Sequence, residues 1–159
     1  MTSGSSRLPE LGARGGGWVA GQGLLLLGIA LSALVGVGPS AVSAAVGAAV
    51  AGVGGGLTIG GALALGSALT PFPRPREGAG LRELGLYGRV RHPIYGGVAL
   101  LAAGWSIFWL SALGGVLTVL LVLFFELKAR REEAWLEARY PEYGSYRTRT
   151  PRRFLPWLY

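Results

Sequence analysis

PIYGGVALLAAGWSIFWLSALGGVLTVLLVLFF, residues Pro93–Phe125, carries no formal charge over 33 positions. As one helix it would run about 50 Å, too long for one bilayer crossing and short for two full ones. How often it crosses decides the fold, and the surrounding charges decide how often it crosses. All 15 Lys/Arg and all 8 Asp/Glu fall in three blocks: Arg7–Arg14, Arg74–Arg91 and Glu126–Arg153. In that order the blocks hold 2, 5 and 8 basic residues. A single crossing would set the block of 8 opposite the block of 5, against the bias of Lys and Arg toward one membrane face. Two short or tilted helices return the chain to the same face. The turn is expected within Trp109–Gly115, with Ser111 and Gly114-Gly115 as breakers. Trp105 and Trp109 would then anchor near the far interface.

The other uncharged run, Gly15–Pro73, spans 59 residues and reads as two further membrane helices. Trp18–Val37 has 20 residues, about 30 Å of helix and one crossing. Gly38-Pro39-Ser40 is a turn, and Ala41–Leu69 is a longer Gly-rich span that ends at Thr70-Pro71-Phe72-Pro73. Gly52, Gly56 and Gly60 recur at four-residue spacing. Such a face is expected to let a helix of this chain, or of a second copy, approach closely. A cleaved signal peptide is the competing reading of the N-terminus, since Ala41-Val42-Ser43-Ala44-Ala45 resembles a small-residue cleavage site. The apolar stretch before it is longer than a signal core, however, and more apolar sequence follows.

The expected fold is therefore an all-α integral membrane protein with four transmembrane segments. The last two form a tight helical hairpin that leads into a cytoplasmic C-terminal helix and tail. Residues 1–14 are expected to be a disordered cytoplasmic N-terminus, 15–73 a two-span hairpin, and 74–159 the region carrying the chemistry. Both termini lie on the basic, cytoplasmic side of the cell membrane in this reading.

Composition excludes other classes. At 51% hydrophobic and 14% charged, the chain is too apolar for a soluble domain, usually about 25% charged, and for a disordered one. It has no Cys and one His, so disulfides, thiolate chemistry and a multi-histidine metal site are all excluded, and no metal is expected. The net charge of +7 reads as a basic face turned to anionic lipid, not as a nucleic-acid footprint.

Two polar segments are candidates for function. In Leu86–Gly97, the His92-Pro93 step should open the third helix, because proline suits the first helical position and biases its predecessor away from helix. Arg91, an imidazole and free backbone N–H groups would then meet at a positive helix end, an anion-binding arrangement. Gly96 and Gly97 would let a planar ligand approach the backbone. A plain helix start with arginines on lipid phosphates stays open. In the second segment, Glu126–Glu133, adjacent carboxylates point about 100° apart on a helix. The Glu126–Arg130 and Lys128–Glu132 spacings favour surface ion pairs. The aromatic and basic tail, Tyr140–Trp157, could cover a ligand or dock on the interface.

Arg91-His92-Pro93-Ile94-Tyr95, an apolar hairpin, Glu132-Glu133 with Leu136, Tyr140, Tyr143 and Tyr146, and then Thr150-Pro151-Arg152-Arg153-Phe154-Leu155-Pro156 together resemble the isoprenylcysteine carboxyl methyltransferase / phospholipid methyltransferase family of integral membrane enzymes. Thr70–Pro75 and Gly85-Leu86-Tyr87 also look like its bacterial members. The resemblance implies S-adenosyl-L-methionine as cofactor, with Tyr87, Arg91, His92, Pro93, Tyr95, Gly96, Glu132 and Glu133 around it. Leu81 would join them from a loop at Ala79–Arg82. It implies substrate contacts at Lys128, where an arginine stands in the eukaryotic enzymes, and at Arg131, Tyr143 and Tyr146. Tyr140-Pro141 in place of Phe-Gly, and Leu86 in place of Pro, depart from the pattern.

The cofactor suits these residues. The His92 helix start can take its carboxylate, Glu132 can accept from its ribose hydroxyls or ammonium, and Tyr95 can face the sulfonium. In-line transfer to a carboxylate, thiol or amine needs alignment and dryness more than a strong base, so no acid or base residue is assigned. Membrane lipids and a lipophilic or small acceptor are the expected partners. A nicotinamide-dependent reductase of the sterol-reductase type, or a non-catalytic membrane protein, are the alternatives.

Overall fold

The computed structural model describes residues 12, 15–72, 78 and 80–156. The expected N-terminal disorder over 1–14 therefore falls, Gly12 apart, outside the described residues, as does most of the Pro73–Ala79 link. Five α-helices follow in order: α1 (Gly16–Leu31), α2 (Ala41–Leu65), α3 (Pro93–Phe108), α4 (Ala112–Arg139) and α5 (Tyr143–Arg149). Short 3-10 turns extend α1 to Val35 and α2 to Ala68, and another covers Gly85–Gly88. Among the described residues, three stretches are long and apolar enough to cross a membrane: Gly16–Val35, Ala41–Ala68 and Ala112–Arg139. The fourth apolar helix, α3, has 16 residues, about 24 Å.

Local chemistry fixes the boundaries. Ser40 and Ser43 form a capping box, with Ser43 N donating to Ser40 Oγ at 3.1 Å and Ser40 N donating to Ser43 Oγ at 2.9 Å. The small residues at 41–45 are thus the first turn of α2. His92 is the N-cap of α3 and Pro93 opens it, because a missing N–H costs nothing at that position. The hairpin turns over Trp109–Ser111, with Leu110 in the left-handed region at φ 49°. Ser111 caps α4 by accepting from Gly114 N at 3.1 Å. Gly114 does not break the helix: it makes room for the Ser32 and Ser106 hydroxyls, which a Cβ there would meet at 2.6 and 2.8 Å.

The helices pack as antiparallel neighbours in the order α2, α3, α4, α1. The closest approach joins α2 to α3. A Cβ on Gly97 would lie 2.6 Å from Thr58 N and 2.7 Å from Gly54 O, and one on Gly104 2.6 Å from Ala51 N. The α2 glycines at this seam are Gly47, Gly54 and Gly61. This corrects the expectation that Gly52, Gly56 and Gly60 form the intrachain contact face. Gly52 and Gly56 have nothing within 4 Å, and Gly60 meets only the Leu86 side chain. The seven-residue repeat drifts only about 20° per step on a helix, so it keeps facing one partner. A four-residue repeat rotates away about twice as fast.

Ile29, Ala102, Leu121 and Phe125 form the buried core. A small polar seam crosses α3 and α4, with Ser106 and Thr118 hydroxyls 3.2 Å apart. Many leucines and valines on α1, α2 and α4 stay exposed, the surface a bilayer would cover. The alternation brings the start of α1, the end of α2, the start of α3 and the charged extension of α4 to one end.

Candidate functional site

At that end the chain's tail straps the start of α3. Arg91 N donates to Arg152 O at 3.1 Å and His92 N donates to Arg153 O at 2.8 Å. The Arg91 guanidinium donates to the Thr150 and Pro151 carbonyls, both at 2.6 Å. Gly96 lies directly under the Phe154 carbonyl, and Gly97 under α2. Both glycines therefore admit protein backbone, which corrects the expectation of a planar ligand there.

The Glu pair divides by direction, as its 100° offset requires. Glu133 points inward. Its Oε1 accepts from Arg91 Nε at 2.9 Å and faces His92 Nε2 at 3.1 Å, and its Oε2 accepts from Arg153 Nη2 at 3.0 Å. A carboxylate between two guanidiniums only accepts, so His92 Nε2 is the donor in this contact. Arg153 also pairs with Glu126, which holds the expected Arg130 partner at 2.8 Å. The expected Lys128–Glu132 surface pair does not form. Lys128 is buried, and its Nζ donates to Gln22 Oε1 at 2.6 Å and Pro71 O at 3.1 Å. α1 and the segment after α2 cover this face of α4, through contacts that i,i+4 spacing does not show.

Glu132 faces a cavity of about 370 Å³, within the usual range for small-molecule sites. Its Oε2 accepts from Tyr95 OH at 2.7 Å and lies 3.7 Å from His92 Nδ1. The imidazole stacks on Tyr95 at 5.3 Å, and Tyr95 in turn on Phe125 at 4.8 Å. Of the residues singled out in the sequence, Tyr87, Arg91, His92, Tyr95 and Glu132 line this cavity. So do Leu81, Lys128, Tyr143 and Tyr146. Four do not line it. Pro93 packs against Gly61, Gly96 takes the tail carbonyl, Glu133 lies in the ion cluster behind, and Arg131 stacks on Trp135 at 4.6 Å.

Five of the chain's 6 tyrosines line the wall: Tyr87, Tyr95, Tyr140, Tyr143 and Tyr146. Tyr146 OH donates to Tyr87 O at 2.7 Å and ties α5 down. Tyr143 OH is buried and has no hydrogen-bond partner among the described residues. Burial first, and nearby Glu132 second, pushes the Tyr87 phenol above its ordinary range. Burial and then Glu133 do the same for Tyr143, and burial does so for Tyr146. These phenols stay neutral.

Sequence reasoning missed Gln22 and Arg153 as members of this region. Gln22 is the chain's only carboxamide side chain and sits inside an uncharged apolar run, a signal that marks function in a membrane helix. Arg153 carried no such signal, because its partners are 20 and 27 residues away.

The arrangement offers one carboxylate, one buried ammonium, an imidazole and a ring of phenols around a mostly apolar chamber. A family model described as phospholipid methyltransferase matches residues 42–143. No curated protein and no solved structure matches the chain.

Proposed function

The chain belongs to the phospholipid methyltransferase family, and from that premise we propose that it is a membrane-embedded, S-adenosylmethionine-dependent methyltransferase acting on a lipophilic acceptor. In this reading all four apolar helices cross the bilayer, α3 as a short crossing, and both termini and the cavity face the cytoplasm. The basic blocks at one end of the bundle support that orientation.

One observation carries the reading. Glu132, His92, Tyr95 and Tyr143 line a single chamber, and all four lie within the matched residues. The donor set fits the cofactor. Glu132 would hold ammonium or ribose hydroxyls through the capacity that Tyr95 leaves free. The tyrosine faces suit a sulfonium, and Tyr143 OH would complete its hydrogen bonding on a ligand atom. The cofactor supplies an electrophilic methyl group when bound.

The chain's part is positioning. Glu133, Arg91 and Arg153 lock the imidazole against Glu132. The tail strap and α5 close the polar side, excluding water. Leu65, Leu69 and Val98 line the other side, where an apolar acceptor can lie beside the cavity. The family match favours methyl transfer over the reductase reading. Membranes containing the protein should transfer labelled methyl from S-adenosylmethionine into an organic-extractable product. Membranes with Glu132→Gln should not, and equal incorporation by both would refute the proposal.

A further inference from the structure

His92 is the chain's only histidine, and its side chain is 5% exposed. It is the N-cap of α3, yet its ring makes no capping hydrogen bond. One ring nitrogen is committed. Nε2 donates to Glu133 Oε1 at 3.1 Å, because a carboxylate that Arg91 and Arg153 also bond can only accept. In the neutral ring a donor at Nε2 leaves Nδ1 as an acceptor with a free lone pair. Among the described residues nothing donates to it. Glu132 Oε2 lies 3.7 Å from Nδ1, beyond hydrogen-bond reach, and accepts from Tyr95 OH instead. The Tyr95 ring stacks on the imidazole with 1° between their planes, and Phe154 flanks it at 6.3 Å. These faces hold the ring plane and with it the direction of the lone pair. His92 and Glu132 both line the cavity. A carboxylate that sets the tautomer, an imidazole, and an unused ring nitrogen beside a cavity are the parts of a general base and its orienter.

We propose that His92 Nδ1 is a catalytic base, taking the proton of an acceptor that reacts through an N–H or S–H group. The inference rests on the methyltransferase reading and goes beyond it, since alignment alone gives that proton no destination. The acceptor's N–H or S–H bond breaks, and its proton goes to Nδ1. The freed electron pair forms the bond to the methyl carbon. The methyl–sulfur bond of the sulfonium donor breaks, and its electron pair stays on sulfur, which leaves as a neutral thioether. The net result moves one positive charge from donor to imidazole. There it lies between two carboxylates, Glu133 at 3.1 Å and Glu132 at 3.7 Å, which offset it. Arg91 and Arg153 bond the Glu133 carboxylate and temper its pull, and Lys128 stands 5.2 Å from the Tyr95 ring centre. The Tyr143 phenol lines the same cavity from α5. A carboxylate acceptor is already ionised at neutral pH and would leave the base idle.

The single histidine makes the test direct. Full-length protein carrying isotope-labelled histidine, in detergent micelles, shows one imidazole, and its two nitrogen resonances report the tautomer. In the neutral ring Nε2 should carry the proton and Nδ1 should be bare, with and without S-adenosylhomocysteine. A proton on Nδ1 in the neutral ring would overturn the proposal. The rate of labelled-methyl transfer in membranes, at saturating S-adenosylmethionine, should fall at low pH along the curve that the ring resonances trace. A rate that stays flat across the ring titration would also overturn it. His92→Gln keeps an amide donor for Glu133 and lacks the base. It should bind S-adenosylhomocysteine within about tenfold of wild type and transfer methyl at least about 100-fold more slowly, the lower range of what a positioned base contributes. If that variant loses binding as well, the wild-type tautomer and pH profile decide. Transfer by His92→Gln within about tenfold of the wild-type rate would overturn the proposal and leave the methyltransferase reading standing. Wild-type protein that neither binds S-adenosylhomocysteine nor transfers methyl would overturn both.

Discussion

Glu132→Gln and Glu133→Gln differ by one position in sequence and should differ in kind. Glu133 accepts from Arg91 at 2.9 Å and Arg153 at 3.0 Å, and its side chain is 6% exposed. An amide there leaves two guanidiniums without their common counter-charge. Breaking a buried pair costs about 3–5 kcal/mol. Arg91 keeps the Thr150 and Pro151 carbonyls, and Arg153 keeps Glu126, which places the loss near the lower end, about 3 kcal/mol. Glu132 is 26% exposed and takes one hydrogen bond from Tyr95, so its loss is about 1 kcal/mol. At roughly 2–4 °C per kcal/mol for a chain of this size, thermal unfolding in detergent should fall by about 6–12 °C for Glu133→Gln. The fall for Glu132→Gln should be about 2–4 °C. Cofactor affinity should show the opposite order, with Glu132→Gln the more damaging in protein that remains folded. Equal unfolding shifts would refute the division of the pair into one structural and one ligand-facing carboxylate.

Three further outcomes follow from the geometry. Gly97→Leu and Gly104→Leu should destabilise by about 1–3 kcal/mol or more, because a Cβ at either meets α2 backbone, whereas Gly52→Leu and Gly56→Leu should leave the fold of the chain intact; unfolding midpoints check this. Tyr143→Phe removes a buried hydroxyl that has no partner, so the ligand-free protein should be as stable or up to about 1 kcal/mol more stable, while titration should show weaker S-adenosylhomocysteine binding. Tyr87, Tyr143 and Tyr146 have raised pKa values in the fold, so the unfolded chain ionises first, near pH 10. Their contribution is complete below about pH 10 and is lost as pH rises further; phenolate absorbance and unfolding measured across that range should show late titration and falling stability together.

The bundle was legible because long charge-free runs can hardly be loops and report apolar helices directly. His92-Pro93 gave the start of α3 from backbone sterics alone, and Trp109–Ser111 fell within the expected turn. The helix seam was less legible. Among so many glycines in α2, four-residue and seven-residue spacings coexist, and only the position of α3 selects Gly47, Gly54 and Gly61. At the site, local pairing rules placed Lys128 and Glu132 together on the surface, whereas α1 and the link after α2 bury Lys128 against Gln22 and Pro71. Contacts spanning 106 and 57 residues leave no trace in local spacing.

The most direct test of the central claim is calorimetric titration of purified protein with S-adenosylmethionine and S-adenosylhomocysteine, alongside Glu132→Gln. Saturable binding of both by wild type, lost in a Glu132→Gln protein that retains its helical signal, is the predicted result. A well-folded wild type that binds neither, or a Glu132→Gln protein that binds both unchanged, would contradict the account.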